Sequence, residues 1–332
     1  MRSSLSVRVC IVGAGAIGGW IGTRLAASGA AEVSALARGA TLTALETHGW
    51  RLDQDGARVG APARVSASTA DLGEQDVVVL AVKATALEAV VGRLEPLLGA
   101  GTVVLPFLNG VPWWFTHGSD LGPLESVDPG GRIAAAVPFE RVLGGVVHAS
   151  CATVEPGLVH HNLGNGLIVG EPGGGPSSRV DAVAGVLTAA GFDVTSSTDV
   201  RRDAWYKLWG NMTMNPVTAL TGATGDRVLD DPLLRGLCSA AMLEAQRIGA
   251  LVGCPITETP EDRHVVTARL GALRTSMLLD VEAGRPLELD ALIGAVHELG
   301  RRLDVPTPAI DAIFGLTRLF GRVRGLYPDG RA

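Results

Sequence analysis

The chain has 332 residues, enough for two domains with a core apiece. Its 47% apolar and 19% charged residues exclude a disordered chain, and a net charge of −6 without a basic run excludes an electrostatic surface for nucleic acid. The four cysteines, Cys10, Cys151, Cys238 and Cys254, are spaced too widely for a zinc site or a disulfide scaffold and read as reduced thiols.

The opening Met-Arg-Ser-Ser leads into an apolar run broken by Gly13, without the pattern of a secretory signal, and no apolar stretch reaches the roughly 20 residues that span a bilayer. The expectation is a cytoplasmic protein with small-molecule partners, bound neither to membrane nor to nucleic acid.

Residues 7–12 (VRVCIV) are β-branched and apolar, as in a strand buried on both faces of a parallel sheet. Residues 16–28 then have helical spacing, Gly29 stops them, and 32–37 (EVSALA) return to strand character. The alternation continues with a strand at 76–82, a helix at 85–98 and a strand at 101–108, which predicts a doubly wound α/β sheet. Residues 112–131, rich in Trp, Gly and Pro, read as a surface excursion.

Short strands at 142–149, 157–160 and 166–170, a helix at 177–190 and a strand at 193–196 complete a first domain, 1–198. From 199 to 332 the texture is amphipathic, with helices expected over 202–219, 233–252, 261–281 and 288–303, and a frayed tail after Tyr327. The second domain is therefore expected to be all helical. Its apolar faces would suit a homodimer.

Gly13-Ala14-Gly15-Ala16-Ile17-Gly18 has the G-x-G-x-x-G spacing between a strand and a helix. The glycines there serve a tight turn, close approach of backbone to a pyrophosphate, and close packing of helix on strand, while the helix N-terminus offers N–H groups to the phosphates. At the end of the second strand stands Arg38, not an acid. A ribose 2′-phosphate suits an arginine, so NADP(H) is the expected cofactor.

Lys207, Asn211 and Asn215 fall at i, i+4 and i+8, on one face of the first helix of the second domain. A solvated face would carry several charges; this one has a single lysine and two amides. A partly desolvated lysine can give a proton to a developing alkoxide, and amides can hold substrate oxygens without adding charge.

GAGAIG, Val82-Lys83-Ala84, Leu108-Asn109-Gly110, Lys207-Leu208 with Asn211 and Asn215-Pro216, Ser276-Met277-Leu278 and Glu288-Leu289-Asp290 stand together in an order that resembles the ketopantoate reductase family over nearly the whole chain. The resemblance implies a Rossmann-type domain followed by a helical domain like the C-terminal domain of 6-phosphogluconate dehydrogenase. It implies reduction of 2-dehydropantoate to (R)-pantoate, with Lys207 as general acid and Glu288 beside it, binding the substrate hydroxyl. Asn211 and Asn215 match substrate-binding amides, Ser276 a hydroxyl near the substrate carboxylate, and Asn109 an asparagine beside the nicotinamide. Lys83 and Arg38 match cofactor ligands, and no metal is required.

Glu288 on its own could equally start a helix and meet its dipole, and Asp290 should point elsewhere. The aromatic stretch Trp113-Trp114-Phe115 is either ordinary packing or a mouth for a bulkier substrate. A paralogous 2-oxo acid reductase or D-2-hydroxyacid dehydrogenase is thus an alternative on the same scaffold. A non-catalytic NADP-binding sensor is the other, disfavoured by the intact Lys207, Asn211 and Glu288.

Overall fold

The structure, a computed structural model, describes residues 6–329. Contacts group them into two units, 6–108 with 132–203, and 109–131 with 204–329.

The first unit begins with β1 (Arg8–Val12), α1 (Ala16–Ser28), β2 (Glu32–Leu36), α2 (Gly39–His48), β3 (Trp50–Gln54), β4 (Ala57–Ala61), β5 (Arg64–Ser66) and α3 (Thr69–Leu72). It continues through β6 (Gln75–Leu80), α4 (Ala84–Val91) and β7 (Leu98–Pro106). After residue 131 come α5 (Arg132–Ala136), β8 (Gly144–Glu155), β9 (Leu158–Gly170), α6 (Ser178–Ala189) and β10 (Asp193–Ser197).

Five strands form a parallel sheet in the order β5-β2-β1-β6-β7. In its central strand Cys10 and Ile11 are fully buried, as the unbroken apolar run requires. The chain order reverses between β1 and β6, so the C-terminal end of β1 opens at a topological switch point, where such sheets bind ligands.

The later strands do not extend this sheet. They build a second, mixed one, β10-β9-β3-β4, with β8 antiparallel to β9. α1 packs on β3 of this sheet through a close approach: a Cβ on Gly22 would lie 2.5 Å from the ring of Trp50, which is itself buried. The three short strands expected over 142–170 are one long hairpin, because the exposed, polar middle of β9 interrupts the apolar pattern while the backbone ladder continues. The helix expected to reach residue 98 ends at Val91, stopped by Gly92 and a turn containing Pro96.

The second unit is helical: α7 (Val200–Thr221, its first four residues grouped with the first unit), α8 (Gly225–Asp230), α9 (Pro232–Leu251), α10 (Pro260–Ala268), α11 (Ser276–Glu282), α12 (Ala295–Arg302) and α13 (Pro308–Val323). Start signals are explicit. Asp231 accepts hydrogen bonds from the Leu233 and Leu234 N–H groups ahead of α9, and Thr259 and Asp262 form a capping box for α10. The helix expected over 261–281 is two, parted near Gly271, whose φ is +59°. The one expected from 288 to 303 opens with a π-helical turn, Asp290–Gly294, before α12.

The 109–131 segment, which the expected boundary at 198/199 assigns to the first domain, packs in the core of the second unit through Val111, Phe115 and Leu124. Phe115 stacks on Trp205 with ring centroids 5.6 Å apart, and Trp113 and Trp114 are buried. The Glu298 carboxylate of α12 accepts from the backbone N–H groups of Glu125 (3.0 Å) and Ser126 (2.8 Å). Among the described residues no helix is long and apolar enough to cross a membrane.

Candidate active site

The turn after β1 shows why each glycine is there. Gly13 has φ +94°, and a Cβ on it would stand 2.6 Å from a Val82 methyl carbon. A Cβ on Gly18 would stand 2.1 Å from the Gly13 carbonyl oxygen. Both positions are demanded by the protein's own packing. At Gly15, by contrast, a Cβ would meet nothing within 4 Å. The space beside that backbone is open, which suits the close approach of a pyrophosphate.

Gly15 is also the N-cap of α1, whose first turn has no side-chain cap and no acidic residue, so its N–H groups and positive end suit an anion. Ala14, Ala16 and Ile17 put no charge in the turn. Arg38 follows β2 at the N-cap of α2, exposed and without an ion pair among the described residues. Lys83 follows β6 at the N-cap of α4. Since β2 and β6 flank β1 in parallel, Arg38, the glycine turn and Lys83 share one edge of the sheet. These residues fit a 2′-phosphorylated dinucleotide.

In the second unit α7 presents Lys207, Asn211 and Asn215. The Lys207 ammonium donates to Asn109 Oδ1 at 2.9 Å. Asn109 is held from behind: Gly110, at φ +88°, lies so close to Ala291 that a Cβ would come 2.3 Å from its carbonyl oxygen, and the Val111 N–H donates to that oxygen at 2.8 Å. Ala291 belongs to the π-helical turn that begins just after Glu288, so the anchoring of Asn109 and the placing of Glu288 are one construction.

Lys207 is half-buried, and desolvation pulls its pKa down to about 8, against the favourable charge of Glu288 and with the unfavourable charge of Arg263. Asn211 is half-buried and Asn215 buried at 5% exposure, yet neither side-chain amide makes a hydrogen bond among the described residues. Both amides therefore keep their donors and acceptors available.

Ser276 is exposed as the first residue of α11, not in the interior of the single helix expected over 261–281. Its neighbour Thr275 shares a 2.6 Å hydrogen bond with Thr218 of α7, three residues beyond Asn215, which ties this end of α11 to the amide face. Asp290 accepts from the Tyr327 hydroxyl at 2.6 Å. Arg263 stands beside this face, and no local motif in the sequence marks it.

A glycine turn at the switch point of a parallel sheet, joined in one chain to a partly desolvated lysine on a helix face with two amides, suits an oxidoreductase. Family models agree: that described as ketopantoate reductase PanE/ApbA matches residues 9–174, and that described as ketopantoate reductase PanE/ApbA, C terminal, matches 199–320. A 2-dehydropantoate 2-reductase of Mesorhizobium japonicum is 43% identical, covering 97% of this chain and 100% of its own.

Among solved structures, a candidate ketopantoate reductase from Ralstonia solanacearum superposes with a TM-score of 0.92 at 53% identity, covering 97% of this chain and 100% of its own. D-mandelate dehydrogenase with NADH and anilino(oxo)acetate shares the fold, with a TM-score of 0.83 at 20% identity, covering 96% of this chain and 100% of its own. The chain belongs to the ketopantoate reductase family.

Proposed function

We propose that the protein reduces 2-dehydropantoate to (R)-pantoate with NADPH, the pantoate-forming step of pantothenate biosynthesis. The observation that carries the reading is Lys207, hydrogen-bonded to Asn109 and brought to a pKa of about 8 on a face whose amides are unspent. Such a lysine is charged at neutral pH and can still release its proton.

NADPH, when bound by residues 13–18, Arg38 and Lys83, supplies a hydride. As the ketone carbon accepts it, Lys207 gives its proton to the carbonyl oxygen, so that the C=O bond becomes C–OH and no alkoxide is released. Asn211 and Asn215 hold substrate oxygens, Glu288 accepts from the substrate hydroxyl, and Ser276 donates to the carboxylate. Asn109 fixes the direction of the Lys207 ammonium beside the nicotinamide. In this reading residues 1–198 carry the cofactor and 199–332 the substrate, with Asn109 lent to the latter. A cytoplasmic homodimer is the setting that accompanies it, the assembly being checked by sedimentation equilibrium.

The test follows NADPH oxidation by purified protein with 2-dehydropantoate, with NADH and phenylglyoxylate in parallel. Rapid NADPH-dependent turnover of dehydropantoate is expected, falling by ~100-fold or more in Lys207→Ala, the scale of a lost general acid. Turnover of phenylglyoxylate alone would reassign the substrate to an aromatic oxo acid.

A further inference from the structure

Arg263 lies in the first turn of α10, half-buried, and reaches across to α7. Its guanidinium carbon stands 5.0 Å from the centre of the Tyr206 ring. A Cβ on Gly210 would come 2.6 Å from its Nε and 2.8 Å from one terminal nitrogen, so the guanidinium lies against residues 206 and 210. These positions are the immediate neighbours of Lys207 and Asn211 along the same helix.

Among the described residues Arg263 makes no ion pair, and its Nε, shielded from solvent, has no hydrogen-bond partner. The acids next to it are engaged elsewhere: Glu261 pairs with Arg235, and Asp262 closes the capping box with Thr259. His264 contacts Ser239 of α9 at 2.9 Å and fixes α10 in place. An arginine brought to a lysine of like charge, with no anion of the protein assigned to it, works against the charged form of that lysine. An anionic ligand removes that conflict.

We propose that Arg263 is a further substrate-binding residue that supplies the counter-charge for the carboxylate of the 2-oxo acid, to which Ser276 adds a hydroxyl donor, while the adjacent Lys207 meets its carbonyl oxygen. The carboxylate and ketone of a 2-oxo acid are on adjoining carbons, and the Arg263 guanidinium of α10 lies over Tyr206, the residue next to Lys207 in α7. The planar fork of a guanidinium matches a carboxylate in a way an ammonium does not. This inference rests on the proposed reduction of a 2-oxo acid and names what selects for the acid.

The experiment compares 2-dehydropantoate with its uncharged carboxamide in the wild-type protein and in Arg263→Gln, Arg263→Lys and Gly210→Ala, with NADPH saturating. Removal of a desolvated charge partner predicts a loss of at least ~30-fold in kcat/KM for the acid in Arg263→Gln. The loss should fall mainly in KM, with the carboxamide and the KM for NADPH unchanged, so that preference for the acid collapses. Arg263→Lys should recover part of it.

Gly210→Ala puts a methyl where the guanidinium lies and improves helix propensity, so it should raise KM for the acid without lowering the melting temperature. If acid and carboxamide decline together, or neither does, Arg263 is only packing against Tyr206 and the proposal is overturned. Wild-type protein inert towards every 2-oxo acid would overturn the functional reading and this inference together; an active wild type with an unchanged acid preference in Arg263→Gln overturns this inference alone.

Discussion

At Lys207 four influences meet on one ammonium. Desolvation lowers its pKa, Glu288 raises it, the Arg263 charge lowers it, and the Asn109 carbonyl oxygen stabilises the charged form through a hydrogen bond. A general acid must hold its proton to act, so kcat/KM should fall as pH rises through about 8, the value to which Lys207 is lowered. Removing the acceptor in Asn109→Ala disfavours the ammonium and should move this alkaline limb to lower pH. Asn109→Asp adds a negative charge and should move it to higher pH, each by about one unit. A pH–rate profile of the two variants checks both directions, and shifts of the same sign in both would sink the assignment.

At the scale of the element, the glycine turn separates two roles that the motif alone runs together. In Gly18→Ala the new methyl collides with the Gly13 carbonyl oxygen and the end of β1 must move, so thermal stability should drop. In Gly15→Ala nothing of the protein is touched; melting of the protein alone should hold while the KM for NADPH rises several-fold. Equal melting losses in the two would mean that Gly15 answers to packing.

α12 offers a second case. Glu298 accepts two backbone N–H groups and the Ser126 hydroxyl of the 109–131 segment and pairs with Arg302, which together outweigh its burial and hold its carboxyl below the ordinary range. A depressed carboxylate adds stability above its unfolded pKa and loses it as pH falls through the folded one. Glu298→Gln should therefore cost about 1–3 kcal/mol near neutral pH, with the gap to wild type closing in acid; parallel denaturant titrations measure it.

At the scale of the whole molecule, what sequence could show was what is local. The βαβ start, the glycine turn, Arg38 at a strand end and the i, i+4, i+8 face of α7 each rest on a period or a spacing within a few turns of chain. The Lys207 to Asn109 hydrogen bond joins residues 98 apart, and Arg263 reaches α7 from another helix, so neither leaves a trace in a spacing. The β3–β4 hairpin was legible in principle: Asp55-Gly56, with φ +52° and +75°, has the residues of a tight hairpin turn. The aromatic run 113–115 read first as packing, with a substrate mouth as the alternative, and the stacking of Phe115 on Trp205 gives it a place in the core.

The helical unit borrows residues 109–131 from the middle of the chain, and with them the partner of its lysine. Heredity feels this. Relatives that recombine at a single crossover near residue 198 would pass on the asparagine of one parent and the lysine of the other, along with mismatched halves of an aromatic stack. A clean exchange of the helical unit needs three breakpoints, around 108, 131 and 203, so the two halves of the protein should descend together.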